Sequence, residues 1–238
     1  MRLGIIGAMD VEVAILKERM TDLTVEKLGK LGKLEFFVGK LGGTDVVVVR
    51  CGVGKVHAAM CAQTLCDRYG VSHIVNTGVA GSLDPSLDIG DVVVSRDAMY
   101  HDFDCHFVGY PVGQVPGQDV TAFPADEKLV ELAFAFSEAL KPGHTRIGRI
   151  ATGDQFVCSD DQKKQIAEIT QAKCTEMEGA AIAQTAYSNG VPFVILRAIS
   201  DKADHSAQMD YPAFEKIAAE HCAAVTEGFA KCLQKTLA

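Results

Sequence analysis

No run of lysine or arginine interrupts the charge mixture of this 238-residue chain, whose 23 basic and 31 acidic side chains leave a formal net charge of -8. Tracking the phosphates of a nucleic acid needs a concentrated positive face, so that class of partner is disfavoured. Long hydrophobic runs are missing too. None approaches the roughly 18 apolar residues of a membrane-spanning helix, so no membrane contact is expected. Asp10 and Glu12 break the N-terminal apolar stretch where a secretory signal would need continuity and a cleavage site. The expectation is a cytoplasmic protein. The eight cysteines, at 51, 61, 66, 105, 158, 174, 222 and 232, contain no C-x-x-C pair. Several stand in apolar runs and read as small core residues kept as thiols, and their spacing disfavours zinc. Neither an internal repeat nor a linker marks a boundary, so residues 1–238 are expected to form one domain.

What is present is the composition of an ordinary globule, 48% hydrophobic and 23% charged, which excludes a disordered chain. A folded protein of this mass exposes about 10,000 Å² of the roughly 37,000 Å² of its extended chain, enough burial for a substantial core without staples. Apolar, β-rich runs recur at residues 3–8, 36–41, 46–50, 73–77, 91–95, 146–151 and 193–199. They are continuous rather than alternating, the mark of strands covered on both faces. Helical patterns occupy residues 11–20, 55–69, 126–140, 179–189 and 213–237. The alternation predicts an α/β fold: a three-layer sandwich in which a mixed, largely parallel sheet is flanked by helices. Gly42-Gly43, between two apolar runs, predicts a tight hairpin, so the sheet is not purely parallel. Residues 99–124, rich in aromatics, Gly and Pro, read as a long functional or partner-contacting loop.

Ligands of open α/β sheets bind beyond the carboxyl ends of the strands. Three acids follow such ends here: Glu12, Glu178 and Asp201, with Arg197 and Ser200 on the last strand and its exit. Singly, a first-turn Glu complements a helix dipole and an Asp after a strand is often a cap. Together they suit a division of labour between general acid and general base, as in hydrolysis through a cationic sugar intermediate. The turn C-G-V-G-K-V-H at 51–57 follows a strand and opens a helix. It is no dinucleotide fingerprint, because His57 fills the third glycine position and no acid closes a strand about 20 residues later; nor is it a P-loop, lacking the spacer and a Ser or Thr after Lys55. It reads as a tight turn beside a small ligand. N-T-G-V-A-G-S at 76–82 is a second exit whose small residues admit close approach. His101, Asp102, Asp104 and His106 carry atoms that could hold a metal, but so irregular a segment favours a hydrogen-bonded loop.

These motifs carry a resemblance. G-I-I-G-A-M-D-V-E at 4–12, N-T-G-V-A-G, T-G-D-Q-F-V at 152–157, E-M-E-G-A-A-I-A at 176–183 and V-I-L-R-A-I-S-D at 194–201 closely resemble 5′-methylthioadenosine/S-adenosylhomocysteine nucleosidases, over essentially the whole chain. E-M-E-G-A followed about twenty residues on by R-A-I-S-D is specific to the nucleoside phosphorylase/nucleosidase superfamily, and G-A-M-x-x-E narrows it to the nucleosidase branch. The resemblance implies a nucleoside phosphorylase-like fold and hydrolysis of methylthioadenosine and adenosylhomocysteine, with 5′-deoxyadenosine a further substrate, using neither metal nor cofactor. Glu12 would activate water against the anomeric carbon and Asp201 would protonate the departing adenine. Glu178 would grip the ribose hydroxyls, Met177 pack beside the sugar, Arg197 support the ribose and water network, and Ser200 orient Asp201. Phe156 and Val157 fall at the adenine, and Met9, Val53 and Tyr211 along an apolar slot for the sulfur substituent. A homodimer is implied, with Val108, Tyr110 and Pro116 closing the partner's slot. Many relatives have Ser where this chain has Val79, near the sugar, and Phe is common at Val108. Three alternatives stay open: an aminofutalosine-cleaving nucleosidase, a phosphate-dependent nucleoside phosphorylase, and a non-catalytic nucleoside-binding protein on the same fold. The crowding of Asp10 and Glu12 at the first strand exit repels phosphate and favours water.

Overall fold

The most continuous apolar runs form strands buried on both faces. In the computed structural model, which describes residues 1–28 and 34–237 (the last four by backbone alone), the elements in order are β1 (Leu3–Gly7), α1 (Asp10–Arg19), β2 (Thr21–Leu28), β3 (Leu34–Leu41), β4 (Thr44–Arg50), α2 (Lys55–Asp67), β5 (His73–Ser82) and β6 (Val92–Tyr100). A 3-10 turn (His106–Val108) follows, then β7 (Phe123–Pro124), α3 (Glu127–Leu140), β8 (Thr145–Thr152), α4 (Asp160–Thr170), β9 (Cys174–Glu176), α5 (Gly179–Ser188), β10 (Phe193–Asp201) and α6 (Ala207–Leu237). Every residue of β1 and β10 is buried, and all of β5 beyond its first.

The sheet runs β10-β6-β8-β9-β5-β1-β4-β3-β2, and β10 also pairs with β5. That extra ladder closes β5, β10, β6, β8 and β9 into a ring, with β1 to β4 extending from it as an open wing. The sheet is mixed as expected: β1 is parallel to β4 and β5, β5 to β10, and β8 to β6 and β9. The antiparallel pairings are the β2-β3-β4 meander, the short β7, and the two seams β6–β10 and β5–β9. Gly42 (φ 60°) and Gly43 (φ 92°) make the predicted two-residue hairpin, with Leu41 opposite Thr44. Positive φ at both central residues matches the strand twist and suits glycine. Strands β5 and β6 each run five residues past their predicted ends, because N-T-G-V-A-G-S and D-A-M-Y continue the ladder.

Helix α6 lies on β5 and β10 with α1 and α3 beside it, while α2 and α5 pack on each other. The α3–α6 contact is close: a Cβ at Gly228 would overlap the Phe136 ring. Gly228→Ala is therefore expected to cost about 1–3 kcal/mol by overpacking, read as a lower Tm with nucleoside affinity unchanged. Among the described residues, no helix is long and apolar enough to cross a membrane. Burial raises the Cys61 thiol to about 12, so it behaves as an inert core group.

Candidate active site

The ends of β1, β5, β9 and β10, the 53–54 turn, the 155–157 segment and Tyr211 of α6 enclose a cavity of about 250 Å³. It is lined by Met9, Glu12, Val53, Val79, Phe156, Val157, Met177, Glu178, Arg197, Ser200, Asp201 and Tyr211, positions spread over 203 residues of sequence. Val108, Tyr110 and Pro116 do not line it; Val108 stands 71% exposed on the 3-10 turn.

Glu12 lies in the first turn of α1, where its carboxylate bends back over the helix start. Oε2 accepts the N–H groups of Ala8 (2.6 Å) and Met9 (2.9 Å), and Oε1 accepts that of Val79 on β5 (3.1 Å). The residue is therefore both a helix cap and a cavity group, 1% exposed. Burial raises its pKa, against the opposing pull of Arg197 and the three N–H donors. Asp201 closes β10 at a bulge and is 3% exposed. Its Oδ1 accepts Ala203 N–H (2.8 Å) and its Oδ2 the Ser200 hydroxyl (2.9 Å). Burial is the main cause of its raised pKa; the Ala203 and Ser200 hydrogen bonds oppose it, and the charges of Asp210 and Asp204 add to it.

The two acids touch β5 at residues without side chains. A Cβ on Gly78 would overlap Glu12 Oε1 and Arg197 Nη1, and one on Gly81 would lie 2.7 Å from Asp201 Oδ1. Three residue steps of strand separate these contacts, about 10 Å along the chain, which leaves room for a ligand between the acids. This is why N-T-G-V-A-G is small at its third and sixth positions.

Arg197, 1% exposed, is the cation of the cavity. Nη1 donates to Val79 O (3.1 Å); Nη2 donates to Asn76 Oδ1 (2.6 Å), to Glu176 Oε2, and at 3.5 Å to Glu178 Oε2. Glu12 Oε1 is 3.9 Å from Nη1. One guanidinium thus faces three carboxylates. Glu178 also accepts Gly54 N–H (2.9 Å); burial, with help from Glu176, raises its pKa against Arg197.

Sequence reasoning passed over Glu176, the first acid of E-M-E-G-A. It accepts the N–H groups of Glu178 (3.1 Å) and Gly179 (2.7 Å to one oxygen, 2.9 Å to the other), so it caps α5 while anchoring Arg197. The available signal was its spacing two residues before Glu178. Gln155, Thr175, Ala8, Ala80 and Gly81 also line the cavity and were not singled out individually. The 101–106 segment is the hydrogen-bonded loop expected: Asp102 is held by Lys55, and Asp104 by His106.

Residues 2–231 match the Phosphorylase superfamily. The 5′-methylthioadenosine/S-adenosylhomocysteine nucleosidase of Tolumonas auensis is 41% identical over 234 residues, 98% of this chain and 100% of the relative. Among solved structures, the nucleosidase of that name from Neisseria meningitidis, in complex with methylthio-immucillin-A, superposes with a TM-score of 0.93 at 34% identity, covering 97% of this chain and 99% of the other. The native futalosine hydrolase of Helicobacter pylori superposes with a TM-score of 0.88 at 31% identity, covering 96% of each chain. Fold, length and identity agree: the chain belongs to the Phosphorylase superfamily and, within it, to the 5′-methylthioadenosine/S-adenosylhomocysteine nucleosidases.

Proposed function

We propose that this protein hydrolyses the N-glycosidic bond of 5′-methylthioadenosine and S-adenosylhomocysteine, releasing adenine and the 5-substituted ribose. The observation that carries the reading is the pair of buried acids, Glu12 and Asp201, held in one cavity about three strand residues apart. Adenine is a poor leaving group as an anion. As the C1′–N9 bond breaks, its electron pair moves to the purine and Asp201 delivers a proton to the ring. A raised pKa keeps that proton available. Water adds to C1′, and Glu12 takes the proton it sheds. The cycle closes when Glu12 releases a proton to solvent and Asp201 regains one. Glu178 faces the ribose, where negative charge binds an oxocarbenium-like sugar more strongly than the ground state, with Met177 beside it. Ser200 orients Asp201. Phe156 and Val157 receive the adenine. A thioether tail has no charge and few hydrogen bonds to offer, so Met9, Val53 and Tyr211 make a suitable slot. The Tyr211 hydroxyl donates to the Met9 sulfur (3.2 Å), and the Phe156 ring stands edge-on to Tyr211 at 5.4 Å, fixing two of its walls.

Two measurements test this. Adenine release from methylthioadenosine should proceed equally with and without phosphate; strict phosphate dependence would make the enzyme a phosphorylase. The pH profile of kcat/KM should be bell-shaped. It should fall on acidification as Glu12 is protonated and on alkalisation as Asp201 is deprotonated. Both limbs should lie above ordinary carboxylate values of about 4, since both folded pKa values are raised. A flat profile between pH 4 and 9 would sink these roles. The likeness to futalosine hydrolase makes aminofutalosine the first further substrate to assay.

We also read residues 1–238 as one domain that works in the cytoplasm as a homodimer. Phe107, 92% exposed, and Val108 lie on the 3-10 turn, while Val56 and Met60 lie one turn apart on α2; all are large apolar groups facing solvent. Such groups suit burial against a second copy, with Val108, Tyr110 and Pro116 closing the partner's slot. The solution mass of the protein tests it.

A further inference from the structure

The 51–57 turn and the 101–106 segment meet around one ammonium group. Lys55 Nζ lies 2.7 Å from both oxygens of Asp102 and 3.7 Å from Asp154 Oδ2. The Lys55 backbone N–H donates to Asp154 Oδ1 (2.9 Å), and the Asp154 N–H donates to Asp102 Oδ2 (2.9 Å). The same ammonium sits 5.4 Å from the centre of the Tyr100 ring. Gly153 completes the arrangement, because a Cβ there would overlap the His101 ring and press on Asp102. The Lys55 and Asp102 side chains are largely buried, where charge-assisted hydrogen bonds are strong.

None of Lys55, Asp102 and Asp154 lines the cavity, yet each is next in sequence to something that serves it. Gly54, just before Lys55, holds Glu178 through its N–H, and Val53 lines the slot. Gln155, Phe156 and Val157, just after Asp154, line the opposite stretch. We propose that Lys55 is a positioning residue: its ammonium, through Asp102 and Asp154, sets the spacing between the wall that holds Glu178 and the 155–157 wall that receives the base. The inference rests on the reading of 155–157 as the adenine wall. Without the cation, two adjacent carboxylates repel, and of the ties between the 153–157 segment and α2 the Lys55 N–H to Asp154 Oδ1 is left to work against that repulsion. Lys55 itself does no chemistry, since its ammonium is committed to carboxylates.

Adenine binding, measured by titration calorimetry, reads the geometry without turnover. A loss of about 1.4 kcal/mol in contacts between the base and its wall is a 10-fold loss of affinity. Lys55→Met should raise the adenine Kd and the methylthioadenosine KM by about 10-fold while kcat stays within about 5-fold of wild type. Lys55→Arg, which keeps the charge, should restore most of the affinity. Asp102→Asn should also weaken adenine binding, and the losses in the double variant should fall short of the sum of the single ones, because the two side chains share one ion pair. Asp102→Asn and Lys55→Arg carry the test if Lys55→Met does not fold. An adenine Kd within twofold of wild type in Asp102→Asn or Lys55→Met, an Arg variant as impaired as Met, or additive losses in the double variant would overturn the proposal. A wild-type protein that binds adenine but cleaves no nucleoside would instead defeat the nucleosidase reading and leave this comparison intact.

Discussion

Asparagine at position 201 is expected to slow adenine release by more than about 100-fold, the usual worth of a general acid, while leaving the protein as stable as before or more so. The hydrogen bonds survive the change. The amide oxygen replaces Oδ1 as acceptor for Ala203 N–H, and the amide nitrogen replaces Oδ2 beside Ser200, whose hydroxyl turns to accept from it and donates to Ala80 O, 3.4 Å away. What disappears is a carboxyl group whose ionisation burial disfavours. Because the folded pKa is raised, the native state holds this proton more tightly than the unfolded chain does. That advantage is complete below the unfolded pKa and is lost as pH rises through the folded one. Asp201→Asn removes the penalty, so its Tm should gain on the wild type between pH 5 and 8. Paired thermal melts and rate measurements check both halves. A near-normal rate would remove Asp201 from the mechanism, and a Tm deficit that widens with pH would contradict the burial argument.

Much of the fold was legible because buried strands announce themselves as unbroken apolar runs. Elements that do not bury both faces escaped. Strand β2 (T-D-L-T-V-E-K-L) is an exposed edge with a polar, alternating pattern, and α4 (D-D-Q-K-K-Q-I-A-E-I-T) is too polar to stand out, although Ser159 caps it by accepting Gln162 N–H. Closure of the sheet was also out of reach. It depends on β5 pairing with β1 along its first half and with β9 at its end, while β10 runs along its other edge, and no local pattern encodes a shared edge.

The cavity was legible for a different reason: its side chains stand at strand exits, which the topology of α/β sheets brings together. The resemblance then supplied residues that exits alone do not identify, such as Tyr211 on α6. Glu176 was missed because its work is done through neighbours. It holds the start of α5 and the guanidinium of Arg197, roles that emerge only when β9 is placed beside β8 and β5. Lys55 and Asp102 show the same limit. The ion pair joining these residues, 47 positions apart, belongs to neither motif.

Glutamine at position 12 should likewise cost more than about 100-fold in rate, by removing the base that receives water's proton, but should leave the protein less stable than Asp201→Asn. The Glu12 carboxylate accepts three backbone N–H groups, two on Oε2 and one on Oε1. A glutamine offers only one acceptor oxygen. If that oxygen faces Ala8 and Met9, the amide NH₂ meets Val79 N–H donor to donor. If it faces Val79, two N–H groups lose their partner. Either way at least one buried donor is orphaned, which costs about 1–3 kcal/mol, and for a chain of this size each kcal/mol lowers Tm by about 2–4 °C. Arg197 keeps Glu176 and Glu178, so the cluster loses a base without losing its cation. Both substitutions remove a carboxylate whose ionisation burial disfavours, and only Glu12→Gln orphans a donor, so it should melt several degrees below Asp201→Asn. Two buried acids of equal importance to turnover are separated by what their oxygens accept: three fixed N–H groups in one case, and one N–H plus a rotatable hydroxyl in the other. A Glu12→Gln protein with wild-type turnover would show that water needs no base here, and one that melts with Asp201→Asn would show that the three hydrogen bonds do not hold the α1 start against β5.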